Sequence, residues 1–156
     1  VIGGIWIASS QLNEYLKIKR TVEGVLFMAS KARETIPMTE GTGVWRVITP
    51  MTINMGIIPQ DWVQNGNAIN PFGGSVKLAF GSGTFPVLEI YINNLNESRC
   101  RRLVSQLASS AQASFVRSIW NDDKAAFAFT PIANSSSLCA APITVLDFAI
   151  ELTRSN

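Results

Sequence analysis

From Ser9 to Thr35 the chain has no proline and one interior glycine, Gly24, and its apolar residues Leu12, Tyr15, Leu16, Val22, Val25, Leu26 and Ala29 recur at spacings of three and four. That period predicts an amphipathic helix. The run before it, Val1-Ile2-Gly3-Gly4-Ile5-Trp6-Ile7-Ala8, is continuously apolar, so one helix of more than about 30 residues is predicted, far longer than average, and Pro37 stops it. A helix apolar all round at its start and one-sided later suits a protein whose first half is buried by a partner or a membrane and whose second half is buried by its own domain. The eight-residue run is too short to cross a bilayer and lacks the basic region and cleavage pattern of a signal peptide. It reads as the tail of a longer hydrophobic helix cut by processing; an ordinary buried first turn is the alternative.

Residues 37–74 are punctuated by Pro37, Gly41, Gly43, Pro50, Gly56, Pro59, Gly66, Pro71, Gly73 and Gly74, and no long regular element fits there. Trp45, Ile57, Ile58, Trp62, Val63, Ile69 and Phe72 are too apolar for a disordered linker. The expectation is an ordered loop region with short helical turns, pinned by aromatic anchors. From Ser75 the period becomes two. Val76, Leu78 and Phe80, then Leu88, Ile90 and Ile92 opposite Glu89 and Tyr91, predict two antiparallel strands joined by a turn at Gly81-Ser82-Gly83-Thr84. A second helix is predicted from Asn96, its N-cap, to Ala108, with Leu103, Val104, Leu107 and Cys100 facing inward. Ser114 to Trp120, Ala125 to Thr130, and Ile143 to Leu152 with an irregularity near Asp147 read as further strands.

Chemistry finds little footing in this composition. There is no histidine, which removes the commonest general base and metal ligand. No Gly-x-Ser-x-Gly elbow accompanies the serines, and Gly81-Ser82-Gly83 lacks the helix that a phosphate loop requires. Asp122-Asp123 has no third acidic partner nearby and reads as a turn rather than a calcium site. The formal charge of +2 gives no argument for a nucleic-acid partner, and the cluster Arg99, Arg101 and Arg102 reads as a solvated helix face. No cofactor is implied. The two cysteines, Cys100 and Cys139, are either a bridge formed in an oxidising compartment or two buried thiols. Charged residues are 15% of the chain against roughly 25% in an ordinary domain, which leaves a polar, uncharged surface suited to packing against copies of itself.

The most specific signal is Gly56-Ile57-Ile58-Pro59-Gln60-Asp61-Trp62-Val63 followed by Ile69-Asn70-Pro71-Phe72-Gly73-Gly74-Ser75-Val76. Asn70-Pro71 bars helix and sets a turn, Phe72 plugs the core, and Gly73-Gly74 frees the backbone for entry into the first strand. This arrangement resembles the type IVb pilins, and the likeness continues through Asn93-Asn94-Leu95 and the Cys100 helix to Cys139, covering most of the chain from residue 9 onward. The resemblance implies an α+β fold over a single domain, residues 1–156. It is a ladle in which a long N-terminal α-helix (1–36) packs on an antiparallel β-sheet, with an ordered loop region (37–74) and a sheet-bearing part (75–156) that holds a second helix and a disulfide-bridged C-terminal region.

It implies further that Cys100 and Cys139 are bonded. Ile2, Ile5, Ile7, Leu12 and Leu16 would form the assembly helix, and Asn70, Pro71, Phe72, Gly73 and Gly74 the loop-to-sheet turn. The implied partners are other pilin subunits in a filament, the inner membrane through a missing apolar half-helix, and a host-cell surface or other pili. The implied location is an extracellular pilus after a periplasmic stage. The acidic residue that the family carries near its mature start is absent, so a chain beginning at Val1 is expected to fold without polymerising. Two other readings stand beside this one. A pseudopilin of a secretion apparatus shares the helix and sheet but commonly carries a calcium loop in place of the bridge, and an adhesive module would line a sugar or peptide pocket with Trp45, Trp62 and Trp120. An enzyme is the least supported.

Overall fold

The computed structural model describes residues 2–35, 46–81, 87–109, 116–121, 139 and 143–151, with the first turns of the N-terminal helix described as backbone. Helix α1 spans Ile2–Thr35 and stops just before the Ile36-Pro37 pair that forbids its continuation. Its second half is the centre of the core. Ile18, Val22, Val25, Leu26, Met28, Ala29 and Ala32 are buried, on the three-and-four spacing of one helix face. Leu12 and Leu16, the two described side chains of the expected assembly helix, lie outside this buried face. Leu12 is 56% exposed, Tyr15 51% and Leu16 37%, and burial begins only at Ile18.

The main sheet has strands β1 (Arg46–Val47), β4 (Val76–Gly81), β5 (Val87–Ile92), β6 (Val116–Asn121) and β7 (Leu146–Glu151) in the order β1-β4-β5-β7-β6, every pair antiparallel. Register places Leu78, Ile90, Phe148 and Ile119 in one row across four strands, and all four are fully buried. Alternation puts the next row, Lys77, Tyr91 and Asp147, on the other face. Tyr91 and Asp147 are buried there as well, so burial extends to both faces of the sheet. The Tyr91 hydroxyl donates to Glu89 Oε2 at 2.7 Å, and Lys77 Nζ lies 4.0 Å from the Tyr91 ring centroid.

Helix α3 (Glu97–Ser109) starts as the sequence predicts, with the backbone N–H of Arg99 donating to the side chain of Asn96 at 2.9 Å, and it buries Cys100, Leu103, Val104 and Leu107. It packs on α1. Two expectations are corrected. The last strand begins at Leu146 rather than Ile143. The irregularity lies in β6, where Val116 and Ser118 face consecutive residues of β7 and leave Arg117 as the extra residue, while β7 pairs regularly through Asp147. The region before the sheet has short helical turns of the kind expected, helix α2 (Thr49–Asn54) and a 3-10 turn (Gln60–Trp62), together with a hairpin of β2 (Val63–Gln64) and β3 (Asn67–Ala68) that the sequence reading did not include. Asn65 and Gly66 join the hairpin with φ of 51° and 78°, the left-handed pair that a two-residue hairpin turn needs. The expected turn at residues 82–84, the strand at 125–130, Trp45 and Asp122-Asp123 lie outside the described residues.

Candidate functional site

The most elaborate polar construction among the described residues joins the loop-to-sheet turn to the strand end before α3. Asn70 is buried, and its Oδ1 accepts the backbone N–H of Phe72 at 2.8 Å and of Gly74 at 3.2 Å, while its Nδ2 donates to the carbonyl of Asn93 at 2.8 Å. One side chain thus satisfies three backbone groups. Gly73 has φ of +80°, a conformation open to glycine, and a Cβ on Gly74 would stand 2.5 Å from the carbonyl oxygen of Asn93. Phe72 is buried, and Pro71 before it is half-buried. Asn93 reaches back to Ser75, donating to its hydroxyl at 2.7 Å and its carbonyl at 3.0 Å, and Asn94 Nδ2 donates to the carbonyl of Phe72. The structure thus brings all five predicted turn residues into one joint. Asn70→Ala would strand two N–H groups and one carbonyl away from water, so a loss of about 2 kcal/mol is expected in chemical denaturation; an unchanged midpoint would show that water replaces the amide.

Arg99 carries the joint over to α1. Its Nε donates to Glu14 Oε1 at 2.7 Å, its Nη1 donates to the carbonyl of Asn94 at 2.9 Å, and its guanidinium carbon stands 4.5 Å from the Phe72 ring centroid. The expectation of a solvated arginine cluster is corrected for this residue, whereas Arg101 does make an exposed pair with Glu97 one turn earlier. The charge of Arg99 is half-buried because the hydrogen bonds and the ring replace its water. Above this contact α1 leaves the globule, with Leu12 and Leu16 outside the core; Ile2, Ile5 and Ile7 lie farther along its first turns.

Arg99 holds the Glu14 carboxyl below its ordinary value of 4.5, through the hydrogen bond first and charge attraction second, with Lys17 and Arg102 adding to the attraction and burial opposing it. Because the folded value is the lower one, this contact stabilises the protein fully above pH 4.5 and is lost as pH falls through the folded value. Glu14→Gln is expected to remove that part of the acid dependence from the melting temperature; parallel profiles for the two proteins would show that the pair contributes nothing.

Cys100 and Cys139 form a disulfide with Cα atoms 5.6 Å apart, which decides between the bridge and the two thiols. Both cysteines are fully buried. Among the described residues no group of three or more His, Cys, Asp or Glu is placed to hold a metal ion, and no helix is long and apolar enough to cross a membrane. No family model and no curated protein matches the chain. Sequence reading missed the role of Arg99, and the pairing with Glu14 across 85 positions leaves no local signal.

Proposed function

We propose that the protein is a structural subunit of an extracellular type IV pilus, a pilin of the type IVb kind, exported through the inner membrane and oxidised in the periplasm. The observation that supports this most is the division of α1. Its second half, from Ile18 to Ala32, is the domain's own core, while Leu12, Tyr15 and Leu16, within the two turns before it, stand exposed on the same helix. A helix so divided has an apolar segment for sister subunits to cover, and each buried Leu or Ile side chain contributes about 1.5–3 kcal/mol, repeated along a filament. On this reading the described α+β body is the bowl of a ladle-shaped subunit. The filament attaches to a host surface or to other pili, and the protein has no catalytic role.

The disulfide favours a pilin over a pseudopilin, in which a calcium-bound loop commonly does that work. A pocket lined by Trp45, Trp62 and Trp120 gains no support, because Trp62 is 3% exposed and packed against α1, and the other two indoles are outside what is described. The test is immunogold electron microscopy on cells that express the native gene, with antibody raised against this chain. Labelling along filaments is expected, and label confined to the cell envelope would reject the proposal. In the same cells Leu12→Asp with Leu16→Asp is expected to abolish filaments while changing the stability of the purified domain by no more than about 0.5 kcal/mol, the usual size of exposed substitutions.

A further inference from the structure

Two adjoining grooves run along α1 where the loop of residues 59–73 lies against it. One, of about 480 Å³, is lined on the helix side by Lys17 and Arg20 and on the loop side by Gln64, Ile69 and Pro71. The other, of about 410 Å³, continues toward Glu23 and Phe27 on the helix and Pro59 and Gln60 on the loop. Arg20, Asp61 and Trp62 line both, so they form one cleft, and the ten helical steps from Lys17 to Phe27 give it a length of about 15 Å along the helix axis. Its size is that of a small-molecule site.

We propose that this cleft binds an acidic saccharide, with the sugar's carboxylate held by Arg20 and Lys17. Among the described residues Arg20 has no ion pair, and Lys17 has none within bonding distance, its nearest influence being on Glu14, whose oxygen is bound to Arg99. An arginine and a lysine one turn apart on the same wall suit a carboxylate, the guanidinium through two parallel N–H bonds and the ammonium as a point charge. The facing wall offers the amides of Gln64 and Gln60 and the carboxylate of Asp61, all exposed. Asp61 is the discriminating group. With Glu23 farther along the helix wall it gives the cleft two acceptors beside its two cations, which suits a ligand that brings hydroxyl donors along with a single negative charge and disfavours a polyanion such as a nucleic-acid backbone.

The half-buried Ile69 and Pro71 give an apolar surface for the C–H face of a sugar ring, and Phe27, 41% exposed, gives another at the far end. An extended peptide finds several main-chain donors of the loop wall already taken. The N–H groups of Trp62, Ile69, Asn70 and Gly73 already donate to Pro59, Trp62, Gly74 and Asn70, and β2 and β3 pair with each other. The proposal is independent of whether the protein forms filaments.

Its test is a titration of the isotope-labelled chain with 3′-sialyllactose, lactose and inorganic phosphate, followed by backbone amide shifts. Saturable shifts confined to residues 17–27 and 59–73 are expected with sialyllactose, and neither lactose nor phosphate should reproduce them. Lys17→Gln with Arg20→Gln, both at the surface, should weaken the sialyllactose response at least about tenfold, the size of one lost charge-assisted contact. Equal responses to lactose would remove the carboxylate from the recognition, equal responses to phosphate would leave only a general anion site, and absent or scattered shifts would leave no site; each overturns the proposal. A folded spectrum of the double variant with undiminished binding would overturn it too.

Discussion

Trp62→Ala is expected to lower stability by about 3–5 kcal/mol, and Gly24→Ala by about 2 kcal/mol, in spite of a helix preference that favours alanine over glycine by about 1 kcal/mol. Gly24 lies in the middle of α1 with the Trp62 indole seated directly on it, and a Cβ there would fall inside the contact radius of Cζ2 and Cη2. The indole is 3% exposed and closes the core between α1 and the 3-10 turn that carries it, so a methyl group at Gly24 must push it out of its seat. The decisive measurement is the double cycle. In a Trp62→Leu background the smaller side chain leaves room for the methyl group, so Gly24→Ala should become neutral or stabilising. An equal penalty in both backgrounds would mean that the glycine is needed for something other than the indole.

The second large effect is expected from the disulfide. Cys100→Ala with Cys139→Ala should cost about 4 kcal/mol, the loop-closure entropy returned to an unfolded chain when a bridge across 39 positions is removed. Reduction of the native protein should bring its melting temperature close to that of the double variant and leave the variant itself unmoved. Because both sulfurs are buried, reduction should need partial unfolding and proceed slowly in the absence of denaturant. If reduced and oxidised protein melted together, the bridge would be a consequence of the fold and not a support of it.

How much of this was legible beforehand depended on whether the signal was local. The end of α1 at Pro37, the Asn96 cap and the alternation in β4 and β5 are written within a few residues and were predicted within one or two positions. The Asn65-Gly66 turn is equally local, and its two short strands were passed over because two-residue strands carry no alternation to detect. Gly24 looked like a tolerated flaw in a helical stretch, since its partner lies 38 positions away and nothing in the sequence joins them. Leu12, Tyr15 and Leu16 follow the same period as Val22 and Val25, yet only the latter are covered by the domain. Periodicity reports that a face is apolar; the extent of the body packed against it decides where burial starts. For the candidate site, the turn residues 70–74 were visible as a motif, whereas the Arg99 contacts and the Lys17–Arg20 cleft exist only once α1, α3 and the loop are assembled.

The position of β7 has a consequence for how the molecule is made. Its partners β5 and β6 precede it in the chain, and it is inserted between them, pairing with both along its length. Until residues 146–151 emerge, two strands stand with open hydrogen-bonding rims and the buried row through Ile90 and Ile119 has a gap where Phe148 belongs. Such a nascent chain cannot close its interior early, and pairing of this kind over long separations is slow. Synthesis would therefore deliver an unfinished sheet that snaps shut only when its central stave arrives, and truncation shortly before that point should yield a sticky, protease-sensitive product rather than a smaller stable one.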